Sequence, residues 1–194
     1  MNRRVNWFGL AGGVATVVLI AVSLFVPWWR LQIGNPALVE ADTSPVYASF
    51  EGMGNAFTIP LLWALNIASI VSLAAGGVCM LIYSAMPVKP YSKRLLGFGY
   101  NKPLYAVAFF AISLLLLTLV IQGIFGFNVP LTGSATVLFP ESITQGATIS
   151  VAVSSGFLWP FWLGIATAVL CLAARLYHRQ IGIKDAPVAA ATKR

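Results

Sequence analysis

The amino-acid sequence predicts an all-α integral membrane protein: a four-transmembrane-helix bundle with a small extracytoplasmic antiparallel β-sheet built from two outer loops. Of the 194 residues, 59% are hydrophobic and 9% are charged, and the hydrophobic residues are concentrated in four long runs. Lys and Arg are distributed unevenly around these runs. A chain of this length and composition is expected to form one membrane domain, with no room for a soluble catalytic domain beside it.

Each apolar run is long enough to cross about 30 Å of hydrocarbon at about 1.5 Å per helical residue. The first run continues into Pro27 and two tryptophans without a small-residue cleavage site, so we interpret it as a retained helix and not as a signal peptide. The predicted segments are span 7–26, outer loop 27–58, span 59–83, inner loop 84–103, span 104–127, outer loop 128–156, span 157–177 and inner tail 178–194.

The basic residues predict the orientation of the chain. Eleven of the 12 Lys and Arg residues precede the first run, lie between the second and third, or end and follow the fourth, and Arg30 is the exception. Because cytoplasmic flanks retain Lys and Arg, we expect a multi-pass protein of the cell membrane with both termini cytoplasmic. This asymmetry and the attraction of anionic lipid head groups account for the net charge of +7, so nucleic acid is not an expected partner.

Both outer loops carry strand patterns. In the second loop, small and polar residues alternate with apolar ones, which is the period of a strand with one covered face: Thr148, Ser150, Ala152 and Ser154. Turn-forming Gly, Asn, Asp and Pro residues separate the other candidate strands, which are 29–33, 46–50 and 135–139. We therefore expect one small antiparallel sheet with strands from both loops.

A short repeat marks the starts of the second and fourth spans. Phe57-Thr-Ile-Pro60 precedes one and Phe157-Leu-Trp-Pro160 precedes the other. Proline suits the first turn of a helix because its missing N–H would have had no intrahelical partner. The chain is thus interpreted as two helix–outer loop–helix hairpins.

Small residues indicate where helices approach each other closely. On the second span they recur every four positions, which predicts a smooth packing ridge on a central helix: Ala64, Ala68, Ser72 and Gly76. Gly9 and Gly13 have the same spacing on the first span.

Two amides are the strongest polar candidates inside the spans. Asn66 and Gln122 each lie about 8 to 10 Å below the expected outer interface, counted along their helices. One interpretation is an amide pair that joins the second and third helices. The other is a contact with a lipid head group or a quinone in the outer leaflet.

Groups that carry catalysis or bind metals are scarce. No Asp, Glu, Lys or Arg lies well inside a span, and His178 is the single histidine, which rules out bis-histidine haem or a three-histidine zinc site from one chain. Cys79 and Cys171 lie within apolar runs, where cysteine is a common buried residue. We predict no catalytic residue, no metal ligand and no bound cofactor.

Aromatic residues cluster toward the outer side. The tryptophans among them are expected to form an interfacial belt or a surface for a neighbouring subunit or lipid: Trp28, Trp29, Trp63, Trp159 and Trp162. Pro27-Trp-Trp29 followed by a strand-like outer loop resembles the claudin-like tetraspan proteins in topology. The first outer loop of that family contains Gly-Leu-Trp and two disulfide-bonded cysteines, and this loop has neither, so the resemblance is one of architecture and implies no shared activity.

Together these features predict a non-catalytic membrane subunit that binds protein partners and helps to assemble or stabilise a larger membrane complex. Other membrane protein subunits and lipids are the expected partners. A binder or carrier of a lipid, a quinone or a small hydrophobic solute is the alternative. A membrane enzyme subunit that uses a partner's cofactor is the second alternative.

Overall fold

The computed structural model describes residues 5–52, 55–87, 89–125, 129–138 and 150–184. The protein is mostly helical, with helices α1 (Trp7–Ser23), α2 (Pro60–Ala85), α3 (Ser92–Gly99), α4 (Lys102–Phe125) and α5 (Trp159–Lys184). The strands are β1 (Trp29–Ile33), β2 (Val39–Thr43), β3 (Ala48–Gly52), β4 (Asn55–Phe57), β5 (Gly133–Leu138) and β6 (Ser150–Phe157).

Three helical stretches are long and apolar enough to cross a membrane: Pro60–Ala85, Ser92–Gly123 and Trp159–Arg179. The middle stretch combines α3, which lies inside the predicted inner loop, with most of α4. The fourth apolar helix, α1, has 17 residues and ends earlier than the predicted span. Pro27 disfavours a helical conformation at the residue before it, and the Ser23 carbonyl at the helix end accepts a hydrogen bond from Ser44 Oγ at 3.2 Å.

Helices α1, α2, α4 and α5 form a ring in which each packs against two neighbours. Helix α1 contacts α2 and α5, and α4 contacts the same two helices from the other side. Glycines on α1 allow close approach: a Cβ at Gly9 would lie 2.6 Å from Ser84 Oγ, and one at Gly13 would lie 2.8 Å from Leu81 Cδ2. The α1–α2 contact therefore depends on small residues at these two positions.

The ridge of small residues on α2 is divided between two environments. Ala64 and Ala68 are exposed, Ser72 is half-buried, and Gly76 is buried where a Cβ would lie 3.3 Å from the Gly99 carbonyl oxygen. The four residues therefore do not form one continuous contact face within the chain. The buried face of α2 is rotated from this ridge because the helix packs against α1 on one side and against α3 and α4 on the other.

The expected small antiparallel sheet is present and has six strands in the order β4-β3-β2-β1-β6-β5. Strand β1 pairs with β6, with Trp29 opposite Phe157 and Ile33 opposite Val153, and this pairing joins the two loops. The strands follow the ends of α1 and α4 and precede the starts of α2 and α5, and these four helix ends lie at one end of the bundle. We call this the sheet end, and the opposite end is the far end. The predicted strand positions 139 and 148–149 lie outside the described residues.

The repeat seen in the sequence corresponds to two strand-to-helix junctions. Phe57 and Phe157 are the last residues of β4 and β6, and Pro60 and Pro160 lie at the starts of α2 and α5. Each proline lies in the first turn, where a missing N–H costs no intrahelical hydrogen bond.

The main hydrophobic core lies between the sheet and the helices. One face of β1 supplies Trp29, Leu31 and Ile33, all fully buried, and α4 supplies much of the opposing surface, including Phe110 and Leu117. A second buried cluster lies at the far end and contains Met80, Tyr83, Leu96, Cys171 and Ala174.

Candidate functional site

The face of the sheet directed away from the core is polar, and its side chains form cross-strand rungs. Arg30 on β1 lies opposite Asp42 on β2, and Gln32 lies opposite Glu40, which in turn lies opposite Glu51 on β3. The strict alternation of side chains along a strand places all five on one face while their neighbours enter the core.

A bidentate ion pair organises this polar face. Arg30 donates from Nε to Asp42 Oδ1 at 2.7 Å and from its terminal nitrogen to Oδ2 at 2.7 Å, and its Nε also lies 3.4 Å from Glu40 Oε1. The hydrogen bond to Asp42 raises the pKa of Arg30, so the guanidinium stays charged. A recess of about 180 Å³ beside it is lined by Glu40, Asp42, Ser49 and Glu51. With three carboxylates and one guanidinium, the face has an excess of negative charge.

Glu40 and Asp42 lie outside the strands predicted above, although their segment carries the same pattern. In Val39-Glu-Ala-Asp-Thr43, apolar or small residues alternate with acids in the same way as in the strands that were predicted. Acidic residues are depleted in strands, and this preference conceals the alternation. The missed strand β2 contributes Glu40 and Asp42 to the polar face.

Trp28 and Trp29 hold the sheet onto the bundle, and the expectation that they form an exposed interface is wrong. Both are fully buried. Trp28 Nε1 donates to Ser23 Oγ at 2.8 Å, and Trp29 Nε1 donates to the Leu131 carbonyl at 2.8 Å. Because each indole N–H has a partner and each ring has apolar neighbours, both residues are favoured in the interior.

The remaining predicted tryptophans lie on the surface near the sheet end. Trp63 lies in the first turn of α2, and Trp159 and Trp162 lie in the first turn of α5; all three are more than half exposed. This position is compatible with either predicted role, a belt at the head-group level or a contact surface.

Asn66 and Gln122 line two different cavities, so they do not form the amide pair considered from the sequence. Gln122 is exposed at a groove of about 600 Å³ between α4 and α5. This α4–α5 groove has mainly apolar walls: Val107, Phe110, Ala111, Leu114, Leu115, Thr118, Leu119, Val129, Leu131, Phe157 and Phe161. Its floor includes the stacked pair Phe157 and Phe161, whose ring centroids are 4.5 Å apart.

Asn66 lines a smaller cavity of about 220 Å³ between the first turns of α2 and the segment that leads into β3. Only 5% of Asn66 is exposed. We call this space the Asn66 cavity; its other lining residues are Val46, Tyr47, Ala48, Phe50, Thr58, Ile59, Leu62, Trp63 and Ile67.

A buried polar network closes the far end of the bundle. Asn6 Nδ2 donates to Tyr83 Oη at 2.7 Å and to the Ala174 carbonyl at 3.2 Å, while Asn6 Oδ1 caps α1 by accepting from the Gly9 amide. Tyr83 Oη also lies 3.0 Å from His178 Nδ1. The single histidine is therefore half-buried and hydrogen-bonded, and the network joins α1, α2 and α5.

Within the described part of the chain, no three His, Cys, Asp or Glu side chains lie together as a group able to hold a metal ion. Cys171 is buried and Cys79 is half-buried, and both are free thiols. No protein-family model matches the chain, and no curated protein sequence matches it.

Proposed function

We propose that this chain is a non-catalytic subunit of the cell membrane that binds a protein partner through the polar face of its sheet and helps to assemble a larger membrane complex. In this proposal the four long helices cross the bilayer with both termini in the cytoplasm, and the sheet lies outside. The observation that carries the proposal is the anchored, polar, six-stranded sheet. Two buried tryptophans and the β1–β6 pairing hold this surface in a defined position on the bundle.

The chemistry of the polar face favours a partner with basic groups. Three carboxylates line one recess, and the single guanidinium on this face already binds Asp42 through Nε and one terminal nitrogen. Positive side chains on a partner would complement the remaining negative charge, which favours association rate and specificity. The exposed tryptophans near the sheet end supply aromatic surface of the kind found in interfaces.

Capture of the partner from solubilised membranes tests this proposal. We expect affinity purification in a mild detergent to recover a stoichiometric polypeptide, and the double variant Glu40→Lys, Glu51→Lys to recover at least about tenfold less, because facing like charges are strongly unfavourable.

Thr136→Lys is the matched control for the added charge. It lies on the same face but on β5, three strand spacings or about 14 Å from β2. Equal loss in the control would mean that a positive charge anywhere on the sheet disrupts the complex. A monodisperse, partner-free wild-type particle would contradict the proposed function.

A second candidate function, the binding of a hydrophobic molecule, is favoured by the dimensions of the α4–α5 groove. Its lining runs from Val107 to Gln122, about 22 Å along the helix. A volume of about 600 Å³ over this length corresponds to a mean cross-section of about 27 Å². One hydrocarbon chain at carbon contact distances of about 4 Å needs roughly 20 Å².

We infer that the groove holds a single extended hydrocarbon chain. Ala111→Phe would fill the groove at its middle, and we expect it to reduce the amount of co-purifying hydrophobic ligand at least about fivefold. Ala108→Phe on the exposed surface of the same helix serves as the control. Equal ligand content in wild type and Ala111→Phe would eliminate this candidate.

A further inference from the structure

The Asn66 cavity combines a buried amide with space beside it. Asn66 is 5% exposed, and its side chain lines the cavity together with polar and apolar neighbours. A buried amide is stabilised by hydrogen bonds, so a ligand in this cavity would gain by placing a hydrogen-bonding atom beside Asn66.

The size and lining of the cavity indicate which kind of group fits. A volume of about 220 Å³ equals that of about seven water molecules at roughly 30 Å³ each. Asn66, Thr58 and Tyr47 provide polar atoms, and Ile59, Leu62 and Ile67 provide apolar walls. A group with an oxygen atom at one end and hydrocarbon at the other satisfies both sides.

The depth of the cavity points to the same chemistry. Helix α2 has 26 residues and is about 39 Å long, close to the thickness of a bilayer with its interfacial layers. Asn66 lies six residues from Pro60, about 9 Å along the helix, while an interfacial layer is roughly 5 to 8 Å thick. In a membrane, Asn66 would lie near the boundary where lipid hydrocarbon meets its oxygen-bearing linkage.

We propose that the Asn66 cavity is a binding site for an amphipathic membrane molecule that carries a hydrogen-bond-accepting oxygen at the end of a long hydrocarbon chain. The amide of Asn66 donates to that oxygen, and the chain leaves past Ile67 and the exposed ring of Trp63. Glycerolipids and isoprenoid quinones share this chemistry. The site uses neither the polar face of the sheet nor the α4–α5 groove.

Native mass spectrometry of the full chain, purified in mild detergent, tests the proposal. We expect about one bound molecule per chain in the wild type and about tenfold lower occupancy in Asn66→Leu, which keeps the branched shape and the number of side-chain heavy atoms but removes the amide. Ser69→Ala is the matched control, because it removes another buried polar group from α2 that does not line the cavity. The control should retain the ligand.

The mass of the released molecule distinguishes a glycerolipid from an isoprenoid quinone. A quinone also changes its ultraviolet absorbance on chemical reduction, whereas a glycerolipid does not. Ala48→Leu fills the cavity from the strand side while leaving the amide in place, and it should lose the ligand as well. A separate measurement needs no variant: returning extracted lipid to delipidated wild type should raise its thermal midpoint.

Two results would overturn the proposal. One is wild type that carries no bound molecule and gains no stability from added lipid. The other is Asn66→Leu and Ala48→Leu proteins that keep wild-type occupancy, which would show that water satisfies the amide. Partner capture by the sheet is measured separately, so either proposal can fail while the other stands.

Discussion

At the scale of single residues, Trp28 packs closely against Gly164, more closely than any side chain packs against another glycine in the described part of the chain. A Cβ at Gly164 would contact the Trp28 ring, including Cζ3 at 2.9 Å, so the indole lies directly against the backbone of α5. The same ring packs on Phe110, with ring centroids 5.1 Å apart. The sequence shows Trp28 as an aromatic residue at the end of a span, and its burial depends on a glycine 136 positions away. Local patterns carry no information about such a pairing.

Replacing this glycine should therefore destabilise the protein. For Gly164→Ala we expect unfolding to become easier by about 1 to 3 kcal/mol, because the new methyl group displaces a ring that is enclosed on all sides. The thermal midpoint in detergent measures the change. Gly123→Ala on α4 is the control: a Cβ there meets nothing within 4 Å, so higher helix propensity should leave stability unchanged or slightly improved. A Gly164→Ala protein as stable as the control would show that the ring can move at little cost.

At the scale of elements, the sequence predicts features that depend on local periodicity and does not predict features that depend on contacts with other helices or strands. Strand β1 coincides with its predicted range because 29–33 is a compact apolar and polar segment bounded by turn residues. Helix α3 lies outside the predicted elements because Ser92–Gly99 is short, basic and only partly apolar, and it is stabilised by contact with α2. The similar depth of Asn66 and Gln122 below the outer interface stays a prediction from residue count. Their separation into two cavities depends on helix rotation, which the sequence does not determine.

Replacing the arginine of the ion pair on the sheet separates its effect on partner binding from its effect on the free energy of unfolding. Arg30 is about two-fifths exposed, so Arg30→Met should change the free energy of unfolding by less than about 1 kcal/mol despite its bidentate geometry. The same change makes the polar face more negative, and we expect it to strengthen capture of a basic partner severalfold at low salt. That gain should shrink as salt is added, since exposed charges are screened over about 10 Å at 0.1 M. Arg94→Met at the far end is the control, and weaker capture by Arg30→Met would indicate that the partner contacts the arginine itself.

At the scale of the whole molecule, the sheet links two helical hairpins, and the charges separate along the bundle. Strands β1 to β4 belong to the first hairpin and β5 and β6 to the second, so the β1–β6 pairing is the main polar link between them. Basic residues concentrate at the far end, where Arg175 lies 4.0 Å from the Tyr100 ring centroid and Lys102 lies 4.2 Å from that of Phe98. Side chains held in this way can extend along apolar surface toward lipid head groups. This asymmetry supports the proposed orientation with the far end in the cytoplasm.

Labelling of single cysteines from outside the cell tests that orientation. In a background with Cys79→Ala and Cys171→Ala, we expect a membrane-impermeant thiol reagent to modify Ser154→Cys on the sheet and to leave Arg94→Cys on α3 unmodified until the cells are opened. Both positions are exposed in the structure, so a difference between them reports sidedness and not burial. Inversion would require the basic segment between α2 and α4 to cross the bilayer during insertion, which the positive-inside preference opposes. Labelling of Arg94→Cys in intact cells would place the far end outside, and the polar face of the sheet would then have to find its partner in the cytoplasm.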